Sequence, residues 1–369
     1  MTRTNKLKYT SVEICAGAGG QAVGLHNAGF KHAALVEIDK DACQTLRDNT
    51  EEDSEWSCKV IEADLRQFDS ADLGLKPGEL DLLAGGVPCP PFSAAGKQLG
   101  RDDERDLFPR MLELVDELEP KAVMIENVRG LLDPKFAEYR QEIIKRLESM
   151  GYEECYWEVL EAKRYGVPQL RPRAILVAMK PEYAEHFQHA KPDVRDEVSV
   201  GAALHDSMRA RYDAVADDPR AEKVFKDWHD RAVEGVAPTV VGGSKKHGGA
   251  DLGPTRAKRA WAGLGVCGLG VANEVDVMLK KKTWERDLFA VVGEEPGEKP
   301  GEEPEMILGP KLTVSQAAII QGFPESWKFS GLKTAAYRQV GNAFPPPVAQ
   351  AVGEQIYAAF ESAAKARRD

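Results

Sequence analysis

No stretch of the 369-residue chain approaches the roughly 20 consecutive apolar residues that a membrane-crossing helix requires. The basic start, with Arg3, Lys6 and Lys8 inside Met1–Thr10, is followed by no apolar segment, so no secretory signal is read there. Cysteine is sparse. The six present (Cys15, Cys43, Cys58, Cys89, Cys155 and Cys267) form no Cys-x-x-Cys pair, and none has a histidine at zinc spacing. That pattern excludes a disulfide framework and a zinc site, and it fits a reducing, cytoplasmic setting. No internal repeat is found. Basic charge is also short: 49 Lys and Arg against 60 Asp and Glu give −11, which argues against nucleic acid, because phosphates are neutralised by Lys and Arg.

The deficit is local. Residues 48–55 carry five acids and no base, and Val292–Glu305 carries six Glu against one Lys. Read as surface loops, these two stretches hold −10 of the −11. By contrast, residues 239–260 carry five Lys and Arg against Asp251. The composition itself, 43% hydrophobic and 30% charged, is that of a folded protein, and the length suggests two domains or one with a large insertion.

From Tyr9 to about residue 180, short apolar runs alternate with amphipathic stretches. Strands are expected at Ser11–Ile14, Ala33–Val36, Lys59–Ile61, Asp81–Ala84, Ala122–Ile125 and Ala174–Ala178. Helical patterns such as Phe108–Glu117 and Ala137–Ser149 lie between them. The alternation predicts an α/β fold with a parallel, doubly wound, Rossmann-like sheet. Residues 186–310 show few clean strands, and Val292–Glu305 reads as a solvated loop or linker. Thr313 with Gln316 fits a capping box, Gly322-Phe323-Pro324 ends that helix, and a last helix starts near Pro346 with Val348, Val352, Ile356 and Phe360 on one face.

Four local patterns could carry chemistry. Ala16-Gly17-Ala18-Gly19-Gly20 follows the first strand, where glycines allow a tight turn and close approach to a ligand. Glu37 follows twenty residues after Gly17 and suits ribose hydroxyls, so the pair points to an adenosine-containing cofactor, either a nicotinamide dinucleotide or S-adenosylmethionine. In Gly85-Gly86-Val87-Pro88-Cys89-Pro90-Pro91 the prolines hold Cys89 in extended chain beyond a strand. Such a cysteine reads as a nucleophile rather than as core filling. In Met124-Ile125-Glu126-Asn127-Val128 a buried strand runs into a carboxylate, which is costly unless paired, protonated or used on a ligand. In Gln169-Leu170-Arg171-Pro172-Arg173 two arginines at i and i+2 share a side of an extended chain, able to grip a phosphate or a base carbonyl, or simply solvated.

With these in order, followed by Leu312–Pro324 and by Tyr337–Pro346 with its Gly341-Asn342-Ala343, the chain resembles the DNA (cytosine-5) methyltransferases. The motifs frame most of the chain except about 186–310, the family's variable target-recognition region. The resemblance implies that Cys89 adds to C6 of a flipped-out cytosine in double-stranded DNA and that Glu126 holds N3 and the exocyclic amine. It also implies that Arg171 holds the base carbonyl and Arg173 supports Glu126 or the loop. It implies S-adenosylmethionine as cofactor, on Cys15, Ala16, Gly17, Ala18, Gly20, Glu37, Ile38, Asp64, Leu65, Pro88, Leu107, Asn342 and Ala343. Cys15 and Ile38 stand where the family commonly has aromatics, which implies weaker stacking on the cofactor, and Pro90 replaces the usual Gln after the nucleophile.

Residues 93–108, with Ser93, Lys97, Gln98, Arg101, Arg105 and Phe108, resemble the family's mobile catalytic loop. Thr239, Lys245, Lys246, Arg256, Lys258 and Arg259 are candidates for DNA contacts. The expected organisation is a catalytic domain over 1–185, a DNA-reading domain over 186–333 and a segment 334–369 completing the first. No metal is implied. A monomer and a cognate restriction endonuclease are the expected assembly and counterpart.

Three other readings stand beside this one. A nicotinamide-dependent oxidoreductase explains the glycines and Glu37 but gives Pro88-Cys89-Pro90 no role. A transfer RNA methyltransferase shares the chemistry, yet its subfamily's Cys-Phe-Thr is missing. A non-catalytic DNA-binding relative would not need both Cys89 and Glu126. RNA enzymes with the nucleophile in the Glu-Asn-Val position are excluded, because no Cys lies there.

Overall fold

A computed structural model describes residues 7–50, 56–88, 106–189, 197–242, 250–295 and 305–368. In chain order the first elements are β1 (Tyr9–Ile14), α1 (Gly20–Asn27), β2 (Phe30–Glu37), α2 (Lys40–Asn49), β3 (Lys59–Glu62), β4 (Leu82–Gly85), α3 (Phe108–Leu118), β5 (Ala122–Val128), α4 (Ala137–Ser149), β6 (Glu153–Glu161), β7 (Pro172–Met179) and α5 (Pro181–Ala184). Then follow α6 (Val200–Asp213), α7 (Ala221–Ala232), α8 (Thr255–Gly263), α9 (Val275–Lys281), α10 (Trp284–Leu288), β8 (Ala290–Glu295), β9 (Glu305–Gly309), α11 (Val314–Gln321), α12 (Lys333–Asn342) and α13 (Pro346–Ala366). None of the described helices is long and apolar enough to cross a membrane.

The chain divides into two compact units. The first comprises Met1–Glu161, Pro172–Asp193 and Phe344–Asp369; the second comprises Ala162–Arg171 and Val194–Ala343.

The first unit is built on a seven-stranded sheet in the order β3-β2-β1-β4-β5-β7-β6. Strands β1 to β5 pair in parallel, and β1, β2, β4 and β5 are apolar enough to be covered on both faces, whereas β3 lies at the edge with Lys59 and Glu62 exposed. The sheet is not parallel throughout, which corrects the expectation from sequence: β7 runs antiparallel to both β5 and β6. Between β6 and β7 lies only the short 162–171 stretch with no crossover helix, and an antiparallel pair needs none. Strand β6 itself was absent from the expected set.

One face of the sheet presents Val12, Ile14, Ala34, Val36, Leu83, Val123 and Ile125 to Met111, Leu114 and Val115 of α3 and to Ile143 and Leu147 of α4. Each Val, Ile, Leu or Met among them contributes about 1.5–3 kcal/mol when removed from water. Helix α13 packs on α1, burying Val348, Val352, Ile356 and Phe360. Glycine is required at that crossing: a Cβ on Gly353 would stand 2.8 Å from the Cβ of Ala28. Because β1 lies between β2 and β4, connections leave it in both directions. The crevice at the carboxyl ends of β1 and β4 is therefore where such sheets bind ligands.

The second unit is mainly helical, with Leu204, Met208 and Tyr212 of α6 and Phe225 and Trp228 of α7 buried in its core. Thr313 and Gln316 form the expected capping box of α11, and Gly322 ends that helix in the left-handed region at φ 88°. The reading of Val292–Glu305 as a loop is corrected in part. Val292–Glu295 belongs to β8 and pairs antiparallel with β9, as in Gly293↔Ile307 and Glu294↔Met306. Glycine and glutamate are poor strand formers, so the pairing, not the residue types, makes this a strand.

Candidate active site

In the first unit the glycine corner hangs from the end of β2. Cys15 leaves β1 at φ 51°, a left-handed conformation that is rare outside glycine, and Gly17 and Gly19 follow at φ 54° and 87°. Ala16 N–H donates to the Val36 carbonyl at 3.1 Å, and Gly17 N–H donates to Glu37 Oε2 at 2.7 Å. The other oxygen of Glu37 accepts from Ile38 and Asp39, both at 2.8 Å. Glu37 thus fixes the corner as well as facing it. A Cβ placed on Gly17 would meet nothing within 4 Å, so the space beside the turn is open.

Three carboxylates act on this corner. Burial pushes the Cys15 thiol up to about 12, with Glu37, Glu13 and Asp64 adding to the rise. Glu13, on β1, is 1% exposed and its Oε2 has no hydrogen-bond partner. Burial, reinforced by Glu37, holds its pKa well above the usual glutamate range. Sequence reasoning missed Glu13; its signal was an acid inside the apolar strand Tyr9–Ile14. Asp64 accepts from the Arg66 guanidinium and main-chain N–H, which keep its pKa low. Leu65 and Ala16 are buried in the core, whereas Ile38 is 59% exposed.

Beyond β4 the chain narrows around Glu126. Gly85 lies against Ile14, where a Cβ would come within 2.8 Å of the Ile14 carbonyl. A Cβ on Gly86 would come within 2.9 Å of Glu126 Oε2, so glycine leaves the room that carboxylate uses. Asn127 Nδ2 donates to the Val87 carbonyl at 2.8 Å and ties the end of β5 to this turn. Leu107 N–H donates to the Pro88 carbonyl at 3.3 Å. Glu126 Oε1 pairs with Arg173 Nε at 2.8 Å, both side chains about 15% exposed. The cost of a carboxylate at the end of a buried strand is offset by that pairing.

The next residue, Cys89, lies outside the described residues, as do Ser93, Lys97, Gln98, Arg101, Arg105, Lys245 and Lys246. Phe108 does not belong to a mobile loop, a correction to its expected place: it opens α3 and is 1% exposed in the core.

In the second unit Arg171 is 1% exposed. Its Nη1 donates to the Val240 carbonyl at 2.7 Å, and its Nη2 to the carbonyls of Gly341 at 2.9 Å and Ala343 at 2.6 Å. Gln169 adds bonds to the Ile320 carbonyl at 2.9 Å and accepts from Val240 N–H at 3.1 Å. The two arginines are therefore not a pair with one target, which corrects the i, i+2 reading. Arg171 precedes β7 and binds main chain, while Arg173 lies in the strand and binds Glu126. Asn342 is exposed and Ala343 buried. Thr239 is half-buried beside Val240, and Arg256 and Arg259 are exposed on α8, where Lys258 pairs with Asp251 at 2.7 Å.

A seven-stranded sheet of this order, with a glycine corner after β1 and acidic groups around it, defines an α/β methyltransferase. The family model for C-5 cytosine-specific DNA methylase matches residues 9–358, and the chain belongs to that family. It is 47% identical over 360 residues to the Type II methyltransferase M.NaeI of Lentzea aerocolonigenes, covering 96% of this chain and 76% of that protein. It is 45% identical to the Type II methyltransferase M.NgoMIV of Neisseria gonorrhoeae, covering 96% and 99%. Among solved structures, the fold resembles the methyltransferase EhMeth of Entamoeba histolytica (TM-score 0.59, 14% identity, 95% and 98% covered) and a mutant of Spodoptera frugiperda DNMT2 (0.57, 16%, 95% and 100%). The chain is a DNA (cytosine-5) methyltransferase.

Proposed function

We propose that the enzyme uses S-adenosylmethionine to methylate C5 of a flipped-out cytosine within a short duplex sequence, through a covalent bond from Cys89 to C6. The observation that carries this reading is Glu126, held by Arg173 at 2.8 Å beside the Gly86 turn that leads into Pro88 and Cys89.

The corner's charge favours this cofactor over a nicotinamide dinucleotide. Glu37 and Asp64 carry the negative charge beside it, and protonated Glu13 leaves its buried Oε2 without a partner. Such a site suits the sulfonium and ammonium of S-adenosylmethionine and repels a pyrophosphate. When bound, that cofactor supplies an electrophilic methyl group for C5.

The chain's own residues do the rest. The Cys89 thiolate adds to C6, forming an S–C6 bond and moving the C5=C6 electrons toward C5. Glu126 meets N3 and the exocyclic amine, where charge changes as the adduct forms, and Arg173 fixes its direction. After C5 is methylated, water takes the C5 proton, the C5=C6 bond reforms and the S–C6 bond breaks, returning the Cys89 thiolate. Reaching C6 requires the base to leave the stack. The second unit, with Thr239, Lys245, Lys246 and Arg256, is the DNA-reading part in this proposal. The relatives' Type II naming supports a restriction–modification setting in a bacterial cytosol, with a cognate endonuclease as counterpart and a monomeric methyltransferase.

The test is Cys89→Ala with duplex DNA carrying 5-fluorocytosine. The wild type should form a trapped covalent complex, because fluorine cannot leave as a proton does. The variant should form none and transfer no methyl while still binding cofactor. Turnover by Cys89→Ala would overturn the mechanism. Bisulfite sequencing of DNA from expressing cells reads the recognition sequence.

A further inference from the structure

In the first unit, helices α3 and α4 pack together on one face of the sheet, and a tyrosine hydroxyl ties them at each end. Beyond their carboxyl ends, buried Tyr152 donates to the Pro120 carbonyl at 2.6 Å. That bond has an ordinary explanation, because a buried hydroxyl needs a partner. At their amino ends, Tyr139 Oη lies 2.8 and 2.7 Å from the two carboxylate oxygens of Asp106. Tyr139 is half-buried, and its ring meets Phe108 edge-on with centroids 5.8 Å apart. Phenylalanine would satisfy that packing equally well, so the hydroxyl answers to Asp106.

Asp106 in turn governs its neighbours. Its Oδ1 accepts from Phe108 N–H, the first amide of α3, at 3.1 Å. Leu107 is thereby held on both sides, by the carboxylate before it and by buried Phe108 after it, and its own N–H reaches the Pro88 carbonyl at 3.3 Å. A bond at the far limit of N–H···O distances is lost with a small shift of Leu107. The planar peptide that follows Pro88 contains both that carbonyl and the nitrogen of Cys89, so fixing one fixes the other. Asn127 holds the preceding peptide through the Val87 carbonyl at 2.8 Å. Arg140, beside Tyr139, donates to the carbonyls of Leu131 at 2.8 Å and Asp133 at 2.9 Å, in the turn that follows the strand of Glu126. The first turn of α4 therefore braces the approach to Pro88 and the exit from Glu126 together.

We propose that Tyr139 and Asp106 are positioning residues for the nucleophile. Together they set the Leu107 amide on the Pro88 carbonyl and so fix the direction in which the chain enters Cys89. The proposal rests on the reading of Cys89 as the nucleophile. A thiolate must meet C6 along a narrow approach, and a misplacement of about 1 Å costs about 100-fold in rate.

The experiment measures the rate of covalent trapping, at saturating S-adenosylmethionine, on duplex DNA whose recognition sequence carries 5-fluorocytosine. Tyr139→Phe should slow trapping by about tenfold or more. Asp106→Ala, which also removes the Phe108 bond, should slow it further. Tyr139→Phe/Asp106→Ala should be no slower than Asp106→Ala, since the two residues act through one link. Asp106→Asn keeps an acceptor for both donors and should trap at a rate close to wild type. Tyr152→Phe removes the hydroxyl bond at the other end of the same two helices; it should lower the melting temperature and leave trapping unchanged. Equal slowing by Tyr139→Phe and Tyr152→Phe would trace the effect to a loosened helix pair and overturn the proposal. Trapping by Tyr139→Phe at the wild-type rate would overturn it too, as would additive effects of Tyr139→Phe and Asp106→Ala. Failure of the wild type to trap would instead overturn the assignment of Cys89 on which the proposal stands.

Discussion

Arg173 and Glu126 face each other from adjacent antiparallel strands, 2.8 Å apart, and neither side chain is more than 15% exposed. Removing the guanidinium as Arg173→Met leaves a carboxylate buried without its partner, at a cost of about 3–5 kcal/mol. Thermal melts should show that loss, and Glu126→Gln/Arg173→Met should recover part of it. Methyl transfer by Glu126→Gln alone should fall by about 100-fold or more with cofactor binding retained.

Gly86→Ala tests how tightly the turn is fitted. Its new methyl would sit 2.9 Å from Glu126 Oε2, closer than real Cβ contacts allow. We expect kcat to drop while the dissociation constant for S-adenosylmethionine and the melting temperature change little. An unaltered kcat would mean that the Glu126 carboxylate moves aside at no cost.

Glu13 makes stability depend on pH in a direction opposite to a paired carboxylate. Its folded pKa is raised, so the fold holds a proton that the unfolded chain releases. Its contribution is fully favourable below the ordinary value of 4.5 and is lost as pH rises toward the folded value. Glu13→Gln cannot lose that proton. Without cofactor, its melting temperature should gain on wild type as pH goes from 4.5 to 8, and calorimetry at several pH values checks this. A difference that stays constant with pH would show an ordinary carboxyl at this position.

Arg171→Lys replaces a planar fork by a single amine that cannot reach Val240, Gly341 and Ala343 together. Each buried carbonyl left without its donor costs about 1–3 kcal/mol. The variant should melt earlier and be cut sooner by protease in 240–343 than in the sheet. Equal protection of both regions would show that the three carbonyls find other donors.

The parallel strands could be read from sequence because each is a short apolar run between helical patterns, and β1, β2, β4 and β5 are covered on both faces. Strand β6 could not. Its Glu153-Glu154-Cys155-Tyr156-Trp157-Glu158 places charges on an edge, where only one neighbour, β7, supplies its pairing. The hairpin of β8 and β9 was hidden for a related reason, since its glycines and glutamates are strand-like only once paired. The capping box at Thr313 was legible because its chemistry is local.

The site divides along the same line. Glycines at 17, 19 and 86 and the acid at 37 announce themselves through chain neighbours. The tasks of Arg171 and Arg173 do not, because Arg171's carbonyl partners lie 69 to 172 residues away in sequence. Glu13 was overlooked because its distinction is the lack of a partner, which only packing reveals.

The second unit is assembled from two separate lengths of chain, and the shorter one, Ala162–Arg171, brings both Gln169 and Arg171. A chimera that exchanged only 194–343 with a relative would therefore graft most of the second unit, the DNA-reading part in the proposal above, onto a foreign clasp. Transplanting specificity between such enzymes should succeed when the host's own short segment offers the same glutamine and arginine at the same reach, or when that segment travels with the graft.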